Sequence, residues 1–474
     1  MKIFNALTID KMLIAVALLI GGCSSNDEPA SEPTPDPGSG PEIVDIHTYK
    51  APLYWSVYEY CWNLERAGVS SSDMDITEAQ WDKIINWVSA NLKPYGYDML
   101  CTDGFIPMIS DAGVYMTRYG SMNLKKLVQK CAAKGLKVGV YDNPLWIHCS
   151  DATLVPGTNV KVGDLRYRSG DKVTNSGASD WWFSWIVTSH PGAKEYIDGF
   201  FKHYSEMGIN FIRMDFLSWY EDGKDRGMGT VGRGYGRECY EKALQYIAEA
   251  ASKYKVFTSL VMPHCYNRAE LEAKYGNMFR VVADTGNGTW SHFSANDKGK
   301  SFGTWPNCNN MFDGFIYWSK VSGRGKVILD GDFTRLNTFS SDAERESVVS
   351  LQLMAGGPIA VADQYNTIGN NVKFYQNTEL LALNEDKFVG QPLSASLIDS
   401  RNLIWYGTMS NGDYVVGLFN RDDKSKTLTL NLSDLGIRGK MKARDLWKHE
   451  DEGEVDKVSA SIPAHGCKIV RLTK

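Results

Sequence analysis

From Ala51 onward the chain alternates short apolar runs, many of them β-branched, with longer stretches whose apolar positions recur at helical spacing. The first kind reads as buried strand and the second as amphipathic helix, and their alternation predicts repeated β/α units around a parallel sheet. Strands are predicted over Ala51–Ser56, Asp98–Thr102, Lys137–Tyr141, Phe211–Asp215, Val256–Val261, Met278–Asp284, Lys326–Leu329 and Pro358–Ala362. Helices are expected over Glu78–Leu92, Leu124–Lys134, Ala193–Met207, Arg237–Tyr254, Asn307–Ser322 and Ser341–Met354. The last has a start signal, Ser341 as cap with Asp342, Glu344 and Glu346 loading the first turn. Eight such units predict a (β/α)8 TIM barrel over residues 43–386, with an open doubly wound sheet as the alternative.

Near Lys387 the pattern changes to period two, in Leu403–Tyr406, Tyr414–Phe419, Thr427–Leu432, Lys442–Leu446 and Ile469–Leu472, punctuated by turn signals such as Asn411-Gly412. That texture predicts a C-terminal antiparallel β-sandwich over residues 387–474. The N-terminus belongs to neither domain. Lys2 and Lys11 precede the apolar run Met12–Ile20, too short to span a bilayer, and small residues then lead to Cys23. Residues 1–22 read as a lipoprotein signal peptide with Cys23 as the lipidated residue, the alternative being a plain secretory signal with an incidental cysteine. Residues 23–42 are Ser, Pro, Gly, Asp and Glu with almost nothing apolar, a flexible tether. The expected location is a bacterial cell envelope, with membrane attachment through the N-terminal lipid alone.

Composition narrows the function. A hydrophobic share of 43% and a charged share of 23% exclude a disordered or polytopic membrane chain, and a net charge of −5 implies no nucleic-acid surface. Aromatics reach 12%, which suits either sugar platforms or a barrel filled with large rings. Cys61, Cys101, Cys131, Cys149, Cys239, Cys265, Cys308 and Cys467 are scattered, as are the histidines, so no metal site and no cofactor is expected; export permits one or two disulfides with no legible pairing.

In a barrel, reactive side chains belong at the C-terminal strand ends. Phe211-Ile212-Arg213-Met214-Asp215 puts Arg213 and Asp215 on one strand face, with the acid where the loop begins and a cation to keep it ionised. Phe279-Arg280-Val281-Val282-Ala283-Asp284 repeats the arrangement. Each pair alone reads more readily as a structural ion pair than as a catalytic one. With Asp103 ending strand two and Asp330-Gly331-Asp332 ending strand seven, however, acids ring one mouth. Gly232-Arg233-Gly234-Tyr235-Gly236 reads as a loop tip, Trp181, Trp182 and Trp185 as sugar platforms or buried lid anchors, and His264 as a hydrogen-bonded residue ending strand five.

At these residues the chain resembles glycoside hydrolase family 27, the α-galactosidase group of clan D. The family's Trp-Asn-Ser-Trp opening is similar to Tyr54-Trp55-Ser56-Val57-Tyr58, its Lys-x-Gly-Ile-Tyr strand to Lys137-Val138-Gly139-Val140-Tyr141, and its Lys-x-Asp nucleophile strand to Arg213-Met214-Asp215. Its Arg-x-x-x-Asp acid/base strand resembles Arg280 to Asp284, its Asp-Pro-Asp turn Asp330-Gly331-Asp332, and its sandwich Phe-Asn-Arg Phe419-Asn420-Arg421. The resemblance implies a retaining exo-glycosidase with Asp215 as nucleophile and Asp284 as acid/base, and substrate-binding roles for Trp55, Asp103, Tyr141, Arg213 and Arg280. Its substrate would be an oligosaccharide or polysaccharide bearing terminal α-galactosyl residues, with a β-L-arabinopyranoside or an α-glucan as alternatives.

Three departures bear on the sugar. Thr102-Asp103 stands where the family has two aspartates, Arg213 replaces a lysine, and Pro263-His264-Cys265-Tyr266 lacks the Ser-Cys-Glu character of strand five. Two rivals from other classes are a non-catalytic surface lipoprotein that captures glycans on its aromatics, and a metal-dependent barrel hydrolase; the lack of a His-x-His strand end speaks against the latter.

Overall fold

A computed structural model describes residues 49–169, 172–173 and 184–474. The expected signal peptide and tether, Cys23, Trp181 and Trp182 lie outside the described residues.

The barrel strands are β1 (Leu53–Ser56), β2 (Met99–Cys101), β3 (Lys137–Tyr141), β4 (Phe211–Met214), β5 (Phe257–Leu260), β6 (Met278–Arg280), β7 (Ile328–Asp330) and β8 (Ile359–Val361). They lie side by side in the order β7-β6-β5-β4-β3-β2-β1-β8, and all the pairings are parallel. The sheet is not open. After Gly331-Asp332 the chain of strand seven resumes as Phe333–Thr334 and pairs with β8, so this strand borders both ends of the series and closes the barrel.

Side chains alternate across the barrel wall as a period of two requires. Tyr54, Met99, Cys101, Phe211, Phe257, Met278 and Ala360 form a cluster along the axis. Their neighbours Leu53, Trp55, Leu100, Val138, Ile212, Phe279 and Val361 point outward and join the helix-packed core. Gly139 makes room on the axis, because a Cβ there would stand 2.7 Å from the Phe211 ring.

The helical layer contains α1 (Tyr58–Arg66), α2 (Glu78–Asn91), α3 (Leu124–Ala132), α4 (Ala193–Glu206), α5 (Arg237–Tyr254), α6 (Met311–Trp318) and α7 (Asp342–Met354). Thr77 starts α2 with a reciprocal capping box to Gln80, and Ser341 accepts from the Glu344 amide at 3.2 Å to start α7. The sequence pattern missed α1, whose Tyr58, Tyr60 and Trp62 read as strand formers by propensity. In the fold Tyr58, Glu59, Cys61 and Trp62 are buried against the barrel.

Strand six is shorter than expected. It ends at Arg280, and although the Val281 amide still reaches the Asp330 carbonyl at 3.0 Å, the Ala283 amide turns to Cys308 at 3.0 Å. Asp284 therefore sits in the following loop and not on a strand face shared with Arg280. The expected helix Asn307–Ser322 contracts to α6, because Asn310 accepts from the Asp313 amide at 2.8 Å and caps it there.

The C-terminal domain is an antiparallel sandwich. Its six-stranded sheet runs in the order Gln391–Pro392, Ile404–Thr408, Tyr414–Phe419, Cys467–Thr473, Met441–Asp445, Glu450–Val455, and a second pair joins Lys426–Asn431 to Lys457–Ile462. Glu450–Val455 escaped the sequence reading because its exposed, acid-rich edge shows no apolar alternation. Arg421 pins this domain to the barrel: its Nη1 donates to Asp313 at 2.6 Å, its Nε to Ser294 at 2.7 Å, and its guanidinium lies 4.5 Å from the Phe312 ring. The eight cysteines from Cys61 to Cys467 are all free thiols.

Candidate active site

Asp215 follows the last residue of β4 and continues the axial face of Phe211 and Arg213. Both carboxylate oxygens are held: the Tyr141 hydroxyl donates to Oδ2 at 2.8 Å and the Phe216 amide to Oδ1 at 2.7 Å. Asn143 fixes the backbone by donating to the Asp215 carbonyl at 2.8 Å. Burial pushes the Asp215 pKa up from its ordinary value and the charge of Asp284 adds to this, while Arg280 and Arg213 oppose it. The site thus holds two acids that feel one another, one half-buried and one open, since the Asp284 side chain is 71% exposed.

Asp284 is bound by the Nη2 of Arg280 through Oδ1. Arg280 itself is buried, with Nη1 3.4 Å from Asp332 Oδ1 and its guanidinium 4.5 Å from the centre of the Trp305 indole. Asp332 collects these cations. It accepts from Arg213 Nη2 at 2.7 Å, and the Thr285 amide and hydroxyl both reach its other oxygen at 2.8 Å. Burial would raise its pKa, but Arg280 and Arg213 overcome this and hold it below the ordinary value.

Asp103 lies just beyond β2 and is 5% exposed, with Oδ1 accepting from the Gly104 amide at 2.8 Å. Burial pushes its pKa up to about 7, against the pull of Arg213. Gly104 is required here, because a Cβ would come within 2.6 Å of the Tyr141 ring that lies across it. Tyr141 therefore packs on the loop carrying Asp103 while bonding Asp215, which brings the ends of strands two, three and four together. Thr102 turns its hydroxyl away from this group and accepts from the Tyr141 amide at 2.9 Å.

Asp215, Asp284, Asp103, Tyr141 and Arg280 therefore meet at one mouth, and two expected substrate-binding residues do not join them. Trp55 faces outward, is 1% exposed, and donates its indole N–H to the Asp363 carbonyl at 2.8 Å; the axial aromatic of β1 is Tyr54, one residue earlier. Arg213 presents no hydroxyl-binding fork. It is buried with Nη1 on Asp330 at 2.8 Å and Nη2 on Asp332 at 2.7 Å, its guanidinium 4.6 Å from the Phe333 ring. It orders the barrel floor beneath the acids.

The sequence reading passed over Trp305 and His292 and gave Tyr58 no role beyond its place in the opening motif. Tyr58 stacks on Phe333 at 4.5 Å and accepts from the Gly286 amide at 2.9 Å, so it supports the loop just past Asp284. No local pattern marks Trp305 or His292, which sit in the long connection between β6 and α6, His292 within a short helical turn, Ser291–Ala295. His264 is hydrogen-bonded as expected, with Nε2 2.8 Å from Asp222, and Trp185 is buried, its ring 5.5 Å from Tyr220. Among the described residues no group of three or more His, Cys, Asp or Glu side chains is arranged to hold a metal ion.

Residues 401–472 match the model of the α-galactosidase C-terminal β-sandwich domain. The chain is 37% identical over 441 residues to an isomalto-dextranase of Arthrobacter globiformis, covering 89% of this chain and 67% of that protein. An α-galactosidase of Oryza sativa subsp. japonica is 25% identical over 356 residues, covering 74% of this chain and 68% of its own. The solved structure of the Arthrobacter globiformis T6 isomalto-dextranase complexed with panose superimposes with a TM-score of 0.82 at 35% identity, over 93% of this chain and 76% of that one.

Proposed function

The chain belongs to glycoside hydrolase family 27 of clan D, the α-galactosidase-like enzymes, and from that membership we propose that it is a retaining enzyme releasing sugar from the ends of a dextran-type α-glucan. That it is a glycoside hydrolase decides against the glycan-capturing alternative. The observation that carries the choice of sugar is the extent of likeness to the isomalto-dextranase, which spans both domains at higher identity than the plant α-galactosidase.

The mouth of the barrel supports the chemistry. Asp215, fixed at both oxygens, is placed to attack the anomeric carbon while Asp284 gives its proton to the departing glycosidic oxygen. The glycosidic bond breaks and an ester to Asp215 forms. Asp284, now a carboxylate, takes a proton from water, the water oxygen attacks the anomeric carbon, and the ester bond breaks to restore Asp215. Net retention follows from two displacements at one carbon.

Strand two bears on the sugar as well. Thr102 carries no charge and directs its oxygen to the backbone, so one charge-assisted hydrogen bond of about 1.5–3 kcal/mol to a distal hydroxyl is missing and Asp103 reads that end alone. The sandwich match and the order of the strand motifs favour a second reading, an α-galactoside substrate. A panel of aryl α-D-glucoside, α-isomaltoside, α-D-galactoside, β-L-arabinopyranoside and N-acetyl-α-D-galactosaminide, compared by kcat/KM, separates the two. A preference of at least tenfold for the isomaltoside or glucoside supports the glucan reading, and the same preference for the galactoside overturns it. NMR of the first-formed anomer tests retention independently.

We also propose that Cys23 is acylated and holds the enzyme on a bacterial envelope. Mass spectrometry of detergent-extracted protein should find a lipidated Cys23, and soluble unmodified protein starting beyond it would refute the assignment.

A further inference from the structure

Asp284 is oriented by Arg280, and Arg280 is roofed by Trp305, whose ring is 4.5 Å from the guanidinium and which is itself 3% exposed. What sets Trp305 is its backbone. Its carbonyl accepts from the Arg226 amide at 2.7 Å, and its N–H donates to His264 Nδ1 at 2.9 Å. On the other side of the His264 ring, Nε2 lies 2.8 Å from Asp222 Oδ1. The His264 carbonyl is held too, accepting from Asn307 Nδ2 at 2.5 Å, two residues beyond Trp305.

This geometry fixes the chemistry of the ring. A backbone N–H can only donate, so Nδ1 must be the unprotonated nitrogen, and Nε2 carries the proton that goes to Asp222. The imidazole is neutral in a single tautomer determined from both sides. Burial pushes its pKa down, with Asp222 opposing and Lys224 adding to the fall, which preserves the acceptor at Nδ1. Asp222 is anchored in turn by the Tyr266 hydroxyl at 2.9 Å and the Lys224 amide at 3.1 Å.

We propose that His264 is a positioning residue for the acid/base step, acting with Asp222 to fix Trp305 over Arg280 and so to set the direction in which Arg280 presents Asp284. This rests on the assignment of Asp284 as acid/base. His264 touches none of the reacting atoms. Its effect runs through the Trp305 backbone to the indole, which covers one face of Arg280 and limits the rotation of a guanidinium whose partner carboxylate is mostly solvent-exposed.

A misdirected acid costs most where the leaving group needs its proton most. The test therefore measures kcat/KM on aryl glycosides of decreasing leaving-group ability, from dinitrophenyl to phenyl, made with the sugar that the panel above selects. Wild type is compared with Asp284→Ala, His264→Phe, His264→Asn and Trp305→Leu. Asp284→Ala should lose on the order of 10³-fold on the phenyl glycoside and far less on the dinitrophenyl one. His264→Phe and Trp305→Leu should steepen the same dependence by about tenfold or more between the two ends. His264→Asn carries an amide oxygen near the place of Nδ1, can accept from Trp305, and should restore most of the wild-type slope.

A folded His264→Phe with the wild-type slope, or an Asn variant no better than Phe, overturns the proposal. If His264→Phe does not fold, Trp305→Leu and His264→Asn decide by the same criterion: a wild-type slope in Trp305→Leu, or a steep one in His264→Asn, overturns it. A flat profile for Asp284→Ala overturns the acid/base assignment and the proposal with it. A steep profile there beside a flat one for His264→Phe overturns the proposal alone.

Discussion

The hydroxyl of Tyr141, at the end of β3, donates to Oδ2 of Asp215, just past the end of β4, at a distance of 2.8 Å. With the Phe216 amide on Oδ1, this bond favours the ionised carboxylate against the burial that raises its pKa. Tyr141→Phe should therefore move the acid limb of the kcat/KM profile to higher pH and lower the plateau by about 10- to 100-fold, a hydrogen bond to a charged group being worth about 1.5–3 kcal/mol. An unshifted acid limb would show that the hydroxyl does not govern Asp215. Asp215→Ala should remove turnover by on the order of 10⁴ or more and leave the circular dichroism spectrum unchanged.

Asp103 should titrate within the working range, since burial pushes its pKa up to about 7. Above that pH it is a carboxylate, able on the proposed reading to accept from sugar hydroxyls, and below it a neutral acid. KM should fall as pH rises through about 7, and Asp103→Asn should flatten that dependence. The sign for stability is opposite. The unfolded chain releases this proton near pH 3.8 and the folded one near 7, so the contribution of Asp103 to stability declines as pH rises between the two.

Arg213 bonds Asp330 and Asp332 inside the barrel, where its side chain is 2% exposed. Arg213→Met leaves two buried carboxylates without this partner and should destabilise the fold by about 3–5 kcal/mol in urea unfolding. Arg213→Lys should recover part of this, because an ammonium lacks the planar geometry that spans both acids. A loss below about 1 kcal/mol in the methionine variant would contradict the reading of Arg213 as a structural hub.

Burial pushes the His292 pKa down to about 4, with Arg280 adding to the fall and Asp332 and Asp284 opposing it. The folded state keeps His292 neutral while the unfolded chain protonates near 6.5, so between these values the unfolded state binds more protons and stability rises with pH. The contribution is full above about pH 6.5 and is lost as pH falls to about 4. Over that window wild type should lose about 3 kcal/mol more than His292→Phe, as read by urea midpoints at each pH.

Much of this molecule was legible in its sequence. Strand Lys137–Tyr141 and helix Arg237–Tyr254 stand where periodicity put them, Ser341 caps its helix, and period two put Phe211, Arg213 and Asp215 on one face. These are local matters, set by steric alternation and by which positions must leave water. Tertiary structure decided what local pattern cannot carry. Trp55 and Tyr54 are adjacent aromatics on opposite faces, and closure of the barrel assigned the axis to Tyr54. Arg213 could have met sugar or acid, and its partners lie 117 and 119 residues away on strand seven. Trp305 reaches Arg280 from a long loop, with its backbone fixed by His264 from another strand end. A sequence states which side chains a strand offers to the axis, but which charges neutralise one another there depends on the closed barrel that brings distant strand ends within hydrogen-bonding distance.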